Sequence, residues 1–129
     1  MDGKELIALA KRARKASYSP YSGFSVGAAL LTKSGKIFTG CNIENATFSP
    51  TICAERTAFA KAISEGEREF EAVAIVGGKD RDDEICYPCG VCRQFMSEFC
   101  SGDFKLFFAD GEEVKEIAYS EMMPYRFYL

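Results

Sequence analysis

Three cysteines and one glutamate stand in two short segments whose spacing suits metal chemistry. Cys53 and Glu55 lie two residues apart, and Cys89 and Cys92 form a Cys-x-x-Cys pair directly after a proline. This spacing lets two sulfurs from one turn bind the same ion, and a third thiolate leaves the fourth tetrahedral position to water, as in catalytic zinc sites. The carboxylate of Glu55 could then carry protons beside the ion.

Both segments are predicted to stand at the start of a helix, where free backbone N–H groups stabilise a thiolate over a thiol. Residues two apart on a helix do not share a face. We therefore expect Cys53 to lie at the very end of its helix, where it and Glu55 can both face the metal. The chain has no histidine, which excludes Ser/His/Asp and Cys/His nucleophilic sites and leaves thiolates and carboxylates as the metal ligands.

Other interpretations of the cysteines stay open at this point. A Cys-x-x-Cys pair is also common in structural zinc sites and in thiol oxidoreductases. A closed site of four thiolates with no room for water would form if Cys86 joined the three other cysteines, but Glu55 would then have no role. Cys41 and Cys100 are expected to be ordinary core or half-buried thiols.

The composition limits the class of protein. A chain of 129 residues that is 47% hydrophobic and 27% charged is expected to form one globular domain over 1–129. The net charge of −3 disfavours a nucleic-acid partner. Without a signal-peptide pattern or an apolar run of membrane-span length, we expect a cytoplasmic protein with no membrane partner. A reducing compartment favours metal binding by cysteine over disulfides.

Hydrophobic periodicity predicts the element order α-β-β-α-β-α-β-β. The predicted helices cover about 2–16, 52–64 and 89–100, and the predicted strands cover 24–31, 36–40, 70–76, 104–108 and 113–117. Asp2 and Glu5 have capping-box spacing at the first helix, and 70–76 is an apolar run typical of a strand buried on both faces. The order predicts an α/β fold, a three-layer α/β/α arrangement with a mixed five-stranded sheet and helices on both faces.

Four ordered motifs also resemble one known family along nearly the whole chain. They are PYSGFSVGAAL at 20–30, GCNIENA at 40–46, CAERTA at 53–58 and PCGVCRQ at 88–94. In these segments the sequence resembles the small homotetrameric zinc-dependent cytidine deaminases. The resemblance implies a cytidine deaminase-like fold for this chain.

By this resemblance Cys53, Cys89 and Cys92 hold Zn²⁺, and Glu55 is the catalytic proton shuttle beside a zinc-bound hydroxide. Arg56 is implied to hydrogen-bond the ligand sulfurs and to offset their charge. The implied activity is hydrolytic deamination of cytidine or deoxycytidine to uridine or deoxyuridine plus ammonia, in pyrimidine salvage. A related aminohydrolase that acts on another cytosine nucleoside, such as blasticidin S, is the alternative.

The resemblance implies substrate contacts as well. Asn42 and Glu44 look like the pair that binds the ribose, and their two-apart spacing puts both on one face of an extended segment. Phe24 resembles the aromatic residue beside the pyrimidine, and the backbone of Ala54 matches the position that reads the base. A small-molecule nucleoside is therefore the expected substrate.

The C-terminal segment 123–127 resembles the family's Leu-Pro-x-x-Phe motif. The resemblance implies that Phe127 stacks on a base bound in a neighbouring subunit, and hence a homotetramer with shared active sites. Four positions depart from the family pattern: Tyr125 and Arg126 where small residues are usual, Phe48 where tyrosine is common, and Tyr87 where serine is common. These departures concern the substrate side and leave the metal residues intact.

Overall fold

A computed structural model describes residues 1–129 and contains the predicted order of elements with one addition. The elements are α1 (Gly3–Arg14), β1 (Ser25–Thr32), β2 (Ile37–Cys41), α2 (Ala54–Ser64), β3 (Phe70–Gly78), α3 (Gly90–Ser97), β4 (Lys105–Asp110), β5 (Glu113–Ala118) and α4 (Tyr119–Met122). The addition is α4, a single turn after β5. At the start of α1, the Oδ1 atom of Asp2 accepts a hydrogen bond of 2.9 Å from the backbone N–H of Glu5, as the capping spacing predicts.

The five strands form one mixed sheet in the order β2-β1-β3-β4-β5. β1 pairs antiparallel with β2 and with β3, β3 runs parallel to β4, and β4 pairs antiparallel with β5. Parallel neighbours need a crossover connection, and α3 provides it between β3 and β4. The predicted mixed five-stranded sheet is confirmed.

Alternating strand residues divide the core between the two faces of the sheet. Leu30 and Ile75 pack with Phe59 of α2 on one face, in a cluster that also includes residues of α3. Their sequence neighbours Leu31 and Val76 pack on the other face, against α1. The three-layer α/β/α arrangement is therefore confirmed, with α2 and α3 together on the face that carries the predicted metal residues.

Several predicted boundaries differ from the structure by one to three residues, and the ends of β3 and α3 are two examples. β3 continues two residues past 76, because Gly77 and Gly78 pair with Val26 and Ser25 of β1. α3 ends at Ser97, although the N–H of Cys100 still donates to the carbonyl of Met96 at 2.8 Å. Pairing across the sheet thus outweighs the loop-like composition of the glycines.

Gly40 on β2 sets how closely α2 approaches the sheet. A Cβ atom at this position would lie 2.5 Å from the carbonyl oxygen of Ala54 and 2.6 Å from the backbone nitrogen of Ala58. Both distances are far inside van der Waals contact, so only glycine lets the first turns of α2 lie directly on the strand. The close packing places the residues at the start of α2 beside the ends of β1 and β2.

Candidate metal centre and active site

Cys53 is the N-cap residue of α2, as its spacing from Glu55 predicts. Its backbone is extended, with φ −77° and ψ 156°, and its side chain makes no capping hydrogen bond, so the sulfur is free for other partners. Cys89 has the same relation to α3, with φ −71° and ψ 170° and no capping bond. The two helix starts therefore present thiols beside unpaired N–H groups, which favour the thiolate form.

The sulfurs of Cys53, Cys89 and Cys92 meet in one place. All three Sγ atoms lie within 4.8 Å of one another, and those of Cys53 and Cys89 are 3.8 Å apart. Tetrahedral ligands at about 2.3 Å from zinc are themselves separated by about 3.8 Å. The spacing and the thiolate chemistry of the three donors thus fit a zinc ion.

Cys86 lies outside this group of three sulfurs. Its Sγ atom lies against Gly77 of β3, 2.8 Å from the place that a Cβ atom of the glycine would occupy. Burial raises the pKa of the Cys86 thiol to about 12, with the negative charge of Glu55 adding to the effect. The closed four-thiolate arrangement is therefore not what the structure contains. Cys41 is half-buried and Cys100 is buried, as expected.

Arg56 faces the sulfurs from the first turn of α2. Its Nη2 atom lies 3.4 Å from the Sγ of Cys53 and 3.5 Å from the carbonyl oxygen of Thr51. The pKa of Cys53 is lowered to about 5, mainly by a hydrogen bond from the Cys92 thiol and to a smaller extent by one from Arg56. Cys92 keeps its proton in this hydrogen bond, so the pKa of Cys92 is raised. A thiolate is thus favoured at Cys53 in the metal-free protein.

Glu55 is the buried carboxyl group of the site. Only 4% of the residue is exposed, and this burial, with a smaller contribution from the charge of Cys53, raises the pKa of Glu55 to about 7. A carboxyl group with a pKa near the working pH can both accept and donate a proton. Its location in the same turn as Cys53 puts that capacity next to the sulfurs.

The site opens into a cavity of about 200 Å³, which we call the inner cavity. Its lining includes eight of the residues that the sequence singles out, namely Phe24, Asn42, Cys53, Ala54, Glu55, Cys86, Tyr87 and Cys89. A second groove of about 360 Å³, the outer groove, is lined by Tyr21, Ser22, Glu44, Phe48 and Thr51. Thr51 borders both spaces, so the inner cavity and the outer groove adjoin.

Asn42 is buried, with 8% of the residue exposed. Its Oδ1 atom accepts hydrogen bonds from the N–H of Val26 at 2.9 Å and from the hydroxyl of Ser17, and its Nδ2 atom donates to the carbonyl of Phe24 at 2.8 Å. One N–H of the amide has no protein partner among these bonds and can serve a ligand. Asn42 thus holds the segment that carries Phe24 in place.

Glu44 is half-buried and holds the neighbouring turn. Its Oε1 atom accepts from the backbone N–H groups of Tyr21 at 3.0 Å and Ser22 at 3.1 Å, and the hydroxyl of Ser22 donates to Oε2. The hydrogen bonds from Ser22 lower the pKa of Glu44, so the carboxylate is ionised at neutral pH. Asn42 and Glu44 therefore contact the same loop, one facing the inner cavity and one facing the outer groove.

The C-terminal segment lies on the surface with Phe127 turned outward. Phe127 is 65% exposed and does not line the inner cavity of its own chain. Tyr125 adopts a left-handed backbone conformation, with φ +55°. Arg126 points inward, where Nη1 donates to the carbonyl of Cys100 at 2.7 Å and the guanidinium lies 5.4 Å from the ring centre of Tyr119. Arg126 thus fixes this segment to the rest of the chain, whereas the side chain of Tyr125 is fully exposed.

The other two departures have partners as well. The ring of Tyr87 packs edge-to-face on Phe108 at 5.1 Å, and its hydroxyl accepts a hydrogen bond of 3.1 Å from Nζ of Lys115. Phe48 also has a positive φ, at 66°, and its ring meets that of Tyr21 at 6.4 Å in the outer groove. Three of the four departures, Arg126, Tyr87 and Phe48, therefore have side-chain contacts in this chain.

Sequence reasoning missed the polar residues that brace the site. Ser17 and Ser22 lie in or beside a turn-rich stretch that gave no sign of their contacts with Asn42 and Glu44. Arg93 carried a usable signal, because it directly follows Cys92 inside the matched segment 88–94.

None of the helices combines the length and the apolar character that crossing a bilayer requires.

Residues 2–108 match the cytidine and deoxycytidylate deaminase zinc-binding region. The chain is 46% identical over 125 residues to a cytidine deaminase of Sporosarcina psychrophila, covering 96% of this chain and 90% of that protein. It is 33% identical over 107 residues to a blasticidin-S deaminase of Bacillus cereus, covering 79% and 76% of the two chains.

The fold has a close counterpart among solved structures. The crystal structure of a cytidine deaminase from Burkholderia pseudomallei superimposes with a TM-score of 0.89 at 41% identity, covering 98% of this chain and 100% of that one. The match therefore extends from the metal-binding motifs to the whole arrangement of strands and helices around them. The chain belongs to the zinc-binding cytidine and deoxycytidylate deaminase family.

Proposed function

We propose that the chain hydrolyses cytidine and deoxycytidine, so that water replaces the 4-amino group and ammonia leaves with uridine or deoxyuridine as product. The observation that carries the proposal is the meeting of three cysteine sulfurs and the buried carboxyl group of Glu55 at one inner cavity. Similarity to cytidine deaminases over nearly the full chain supports it. A cytoplasmic role in pyrimidine salvage belongs to the same proposal, since the three thiols need a reducing compartment to remain metal ligands.

The residues that would hold Zn²⁺ are Cys53, Cys89 and Cys92. When bound there, zinc supplies a Lewis acid that makes a water molecule nucleophilic near neutral pH. The protein provides the remaining parts of the catalyst: a proton carrier, a counter-charge for the sulfurs and a cavity of suitable size.

Glu55 is the proposed proton carrier. Its carboxylate accepts one proton from the attacking water and delivers it to N3 of the cytosine ring, then takes the second proton from the hydroxyl group formed at C4 and passes it to the amino group, which leaves as ammonia. The side chain is 4% exposed in the free chain, so bulk water does not compete for the proton. Glu55 is therefore the catalytic residue in this proposal and is not a metal ligand.

Arg56 is the proposed counter-charge. Three thiolates place about three negative charges around a divalent ion, and the surplus opposes the ionisation of water there. The Nη2 atom of Arg56 is 3.4 Å from the Sγ of Cys53, and its buried Nε atom has no hydrogen-bond partner. The positive charge is thus held beside the sulfurs, where it withdraws charge from them.

The inner cavity and the outer groove would divide the nucleoside between them. Phe24 lines the inner cavity and offers a ring face to the pyrimidine, while Ala54 in the first turn of α2 offers a backbone N–H without an intrahelical partner. Asn42 in the inner cavity and Glu44 in the outer groove would bind the ribose hydroxyls. An ionised carboxylate that accepts from hydroxyl groups favours an ordinary ribose over the modified sugar of blasticidin S.

A homotetramer with shared active sites completes the proposal. The exposed ring of Phe127 lies on a segment that is fixed to its own chain, yet it does not line that chain's inner cavity. The ring is therefore available to close the cavity of a neighbouring copy by stacking on the base. One domain over residues 1–129 would supply every part of the site except this aromatic ring.

Turnover by the Glu55→Gln variant tests the mechanism. We expect the variant to retain zinc and to lose about 10²- to 10⁴-fold in kcat/KM, because an amide cannot carry the proton. Loss of ultraviolet absorbance on cytidine, deoxycytidine and blasticidin S measures turnover, and Glu65→Gln at the exposed end of the same helix is the matched control. A zinc-loaded native enzyme that is inactive on cytidine and deoxycytidine would refute the proposed substrate.

Mixed oligomers test the shared site. The Glu55→Gln subunit has an intact C-terminal segment, and the Phe127→Ala subunit has an intact Glu55, so each lacks what the other has. We expect co-assembled oligomers to recover the native KM for cytidine at the sites that combine the two intact parts. If the mixed oligomers turn over cytidine no faster than the sum of the activities of the two separate variants, Phe127 does not act across the interface.

A further inference from the structure

Arg93 links the turn that carries two of the three sulfurs to the C-terminal part of the chain. Its Nε atom donates to the carbonyl oxygen of Pro88 at 2.9 Å, and its Nη1 atom donates to the carbonyl oxygen of Met122, at the end of α4, at 3.1 Å. The hydroxyl of Tyr119 donates to the backbone carbonyl of Arg93 itself. The guanidinium thus joins two segments that are separated by 34 residues in the chain.

The orientation of the Pro88 carbonyl determines the position of the Cys89 backbone. Proline has no N–H, so its carbonyl is the only backbone hydrogen-bonding group that it has. The peptide that contains this carbonyl also contains the nitrogen of Cys89, and Cys89 is exposed, without a capping bond to hold its side chain. Fixing the Pro88 carbonyl therefore fixes the peptide plane from which the Cys89 side chain projects.

Arg93 is suited to this task by its own position on α3. Its backbone N–H donates to the carbonyl of Cys89 at 3.0 Å in the first turn, so backbone and side chain of one residue hold the two peptides that flank Cys89. The side chain is half-buried, and removing it would leave the carbonyl of the buried Pro88 without this partner.

We propose that Arg93 is a positioning residue for the metal site: it holds the Pro88–Cys89 peptide so that the sulfur of Cys89 remains within reach of the ion held by Cys53 and Cys92, and it fixes this turn to the end of α4. The inference rests on the proposed zinc ligands and does not depend on which nucleoside is deaminated. Outer residues that orient ligands typically change metal affinity by about 10- to 100-fold when they are removed.

Zinc affinity of the Arg93→Met variant is the test. Methionine keeps part of the side-chain volume and removes both hydrogen bonds. The matched control is Arg14→Met, since Arg14 is also half-buried and also donates to two carbonyls, those of Ser25 at 2.9 Å and Gly78 at 2.8 Å, from the opposite face of the sheet. Competition with a chromogenic zinc chelator gives the dissociation constant, and thermal unfolding of the metal-free proteins gives the stability of each variant.

We expect Arg93→Met to weaken zinc binding at least about tenfold, and Arg14→Met to bind zinc as the native chain does despite a comparable loss of stability. Equal weakening in both variants, or native affinity in Arg93→Met, would overturn the proposal. If Arg93→Met does not fold, Arg93→Lys decides: one ammonium reaches one carbonyl at a time, so an intermediate zinc affinity supports the proposal and native affinity refutes it. A native enzyme that binds zinc but does not deaminate cytidine would refute the proposed function and leave this inference standing.

Discussion

The two helix starts that bring the sulfurs together are held in different ways. At α2, backbone packs on backbone, because Gly40 allows the first turns of the helix to lie on β2, and the residues after Cys53 are buried. At α3, Gly90 has open space around it, Cys89 is exposed, and the side chain of Arg93 holds the turn. One half of the site is thus fixed by shape and the other by hydrogen bonds, so the same kind of substitution should affect them differently.

The largest effect is expected from Gly40→Ala. The added methyl group would meet the backbone of α2 at 2.5 Å and 2.6 Å, and backbone cannot rotate away as a side chain can. We expect a loss of about 3 kcal/mol in the free energy of unfolding, at the upper end of overpacking effects. Urea unfolding of the metal-free protein measures it, and a loss below 0.5 kcal/mol, the usual scatter of surface changes, would mean that α2 adjusts freely.

A smaller effect, on activity, is expected from Arg56→Gln. The amide can still donate a hydrogen bond but brings no positive charge to the sulfurs, so kcat should fall by about tenfold at full zinc loading. Metal analysis and steady-state kinetics on cytidine measure the two quantities. The contrast with Arg93→Met sharpens the comparison, because excess zinc should restore activity in that variant but not in Arg56→Gln. Recovery of Arg56→Gln in excess zinc would assign Arg56 to metal retention.

The smallest effect is expected from Gly90→Ala, the counterpart of Gly40→Ala at the other helix start. No atom lies within 4 Å of the position of the added Cβ, and Gly90 has no positive φ. Alanine favours the helix over glycine by up to about 1 kcal/mol, so the isolated chain should unfold at an unchanged or slightly higher temperature. A clear loss of stability in thermal unfolding would mean that the start of α3 is as tightly packed as that of α2.

The sequence predicted the parts of the fold that leave a periodic or local signal. The apolar run at 70–76 predicted a strand buried on both faces, and the structure confirms it, because residues of β3 pack in the clusters on both sides of the sheet. The two-residue spacing of Cys53 and Glu55 predicted that the cysteine ends its helix, because no interior position would let both face one point. Local geometry at the metal site was therefore accessible from the order of residue types.

Contacts between distant segments were not accessible in this way. The hydrogen bonds of Arg93 and the fit of Gly40 against α2 depend on how elements pack after folding, and no spacing in the chain encodes them. The helix α4 was missed for a related reason, since a four-residue turn is too short to show helical periodicity. The departure at Arg126 likewise became interpretable only through its contacts with Cys100 and Tyr119, and nothing in the structure explains the tyrosine at 125.

The 3.8 Å gap between the sulfurs of Cys53 and Cys89 also concerns the durability of the whole chain. An ion held by both would cross-link positions 36 residues apart, and the enclosed loop contains α2 and β3. Closing a loop of that length restricts the unfolded chain by about 4 kcal/mol on a chain-entropy model. The ion would then stabilise the fold as well as take part in catalysis. Loss of zinc would therefore shorten the lifetime of the folded protein in addition to removing its activity.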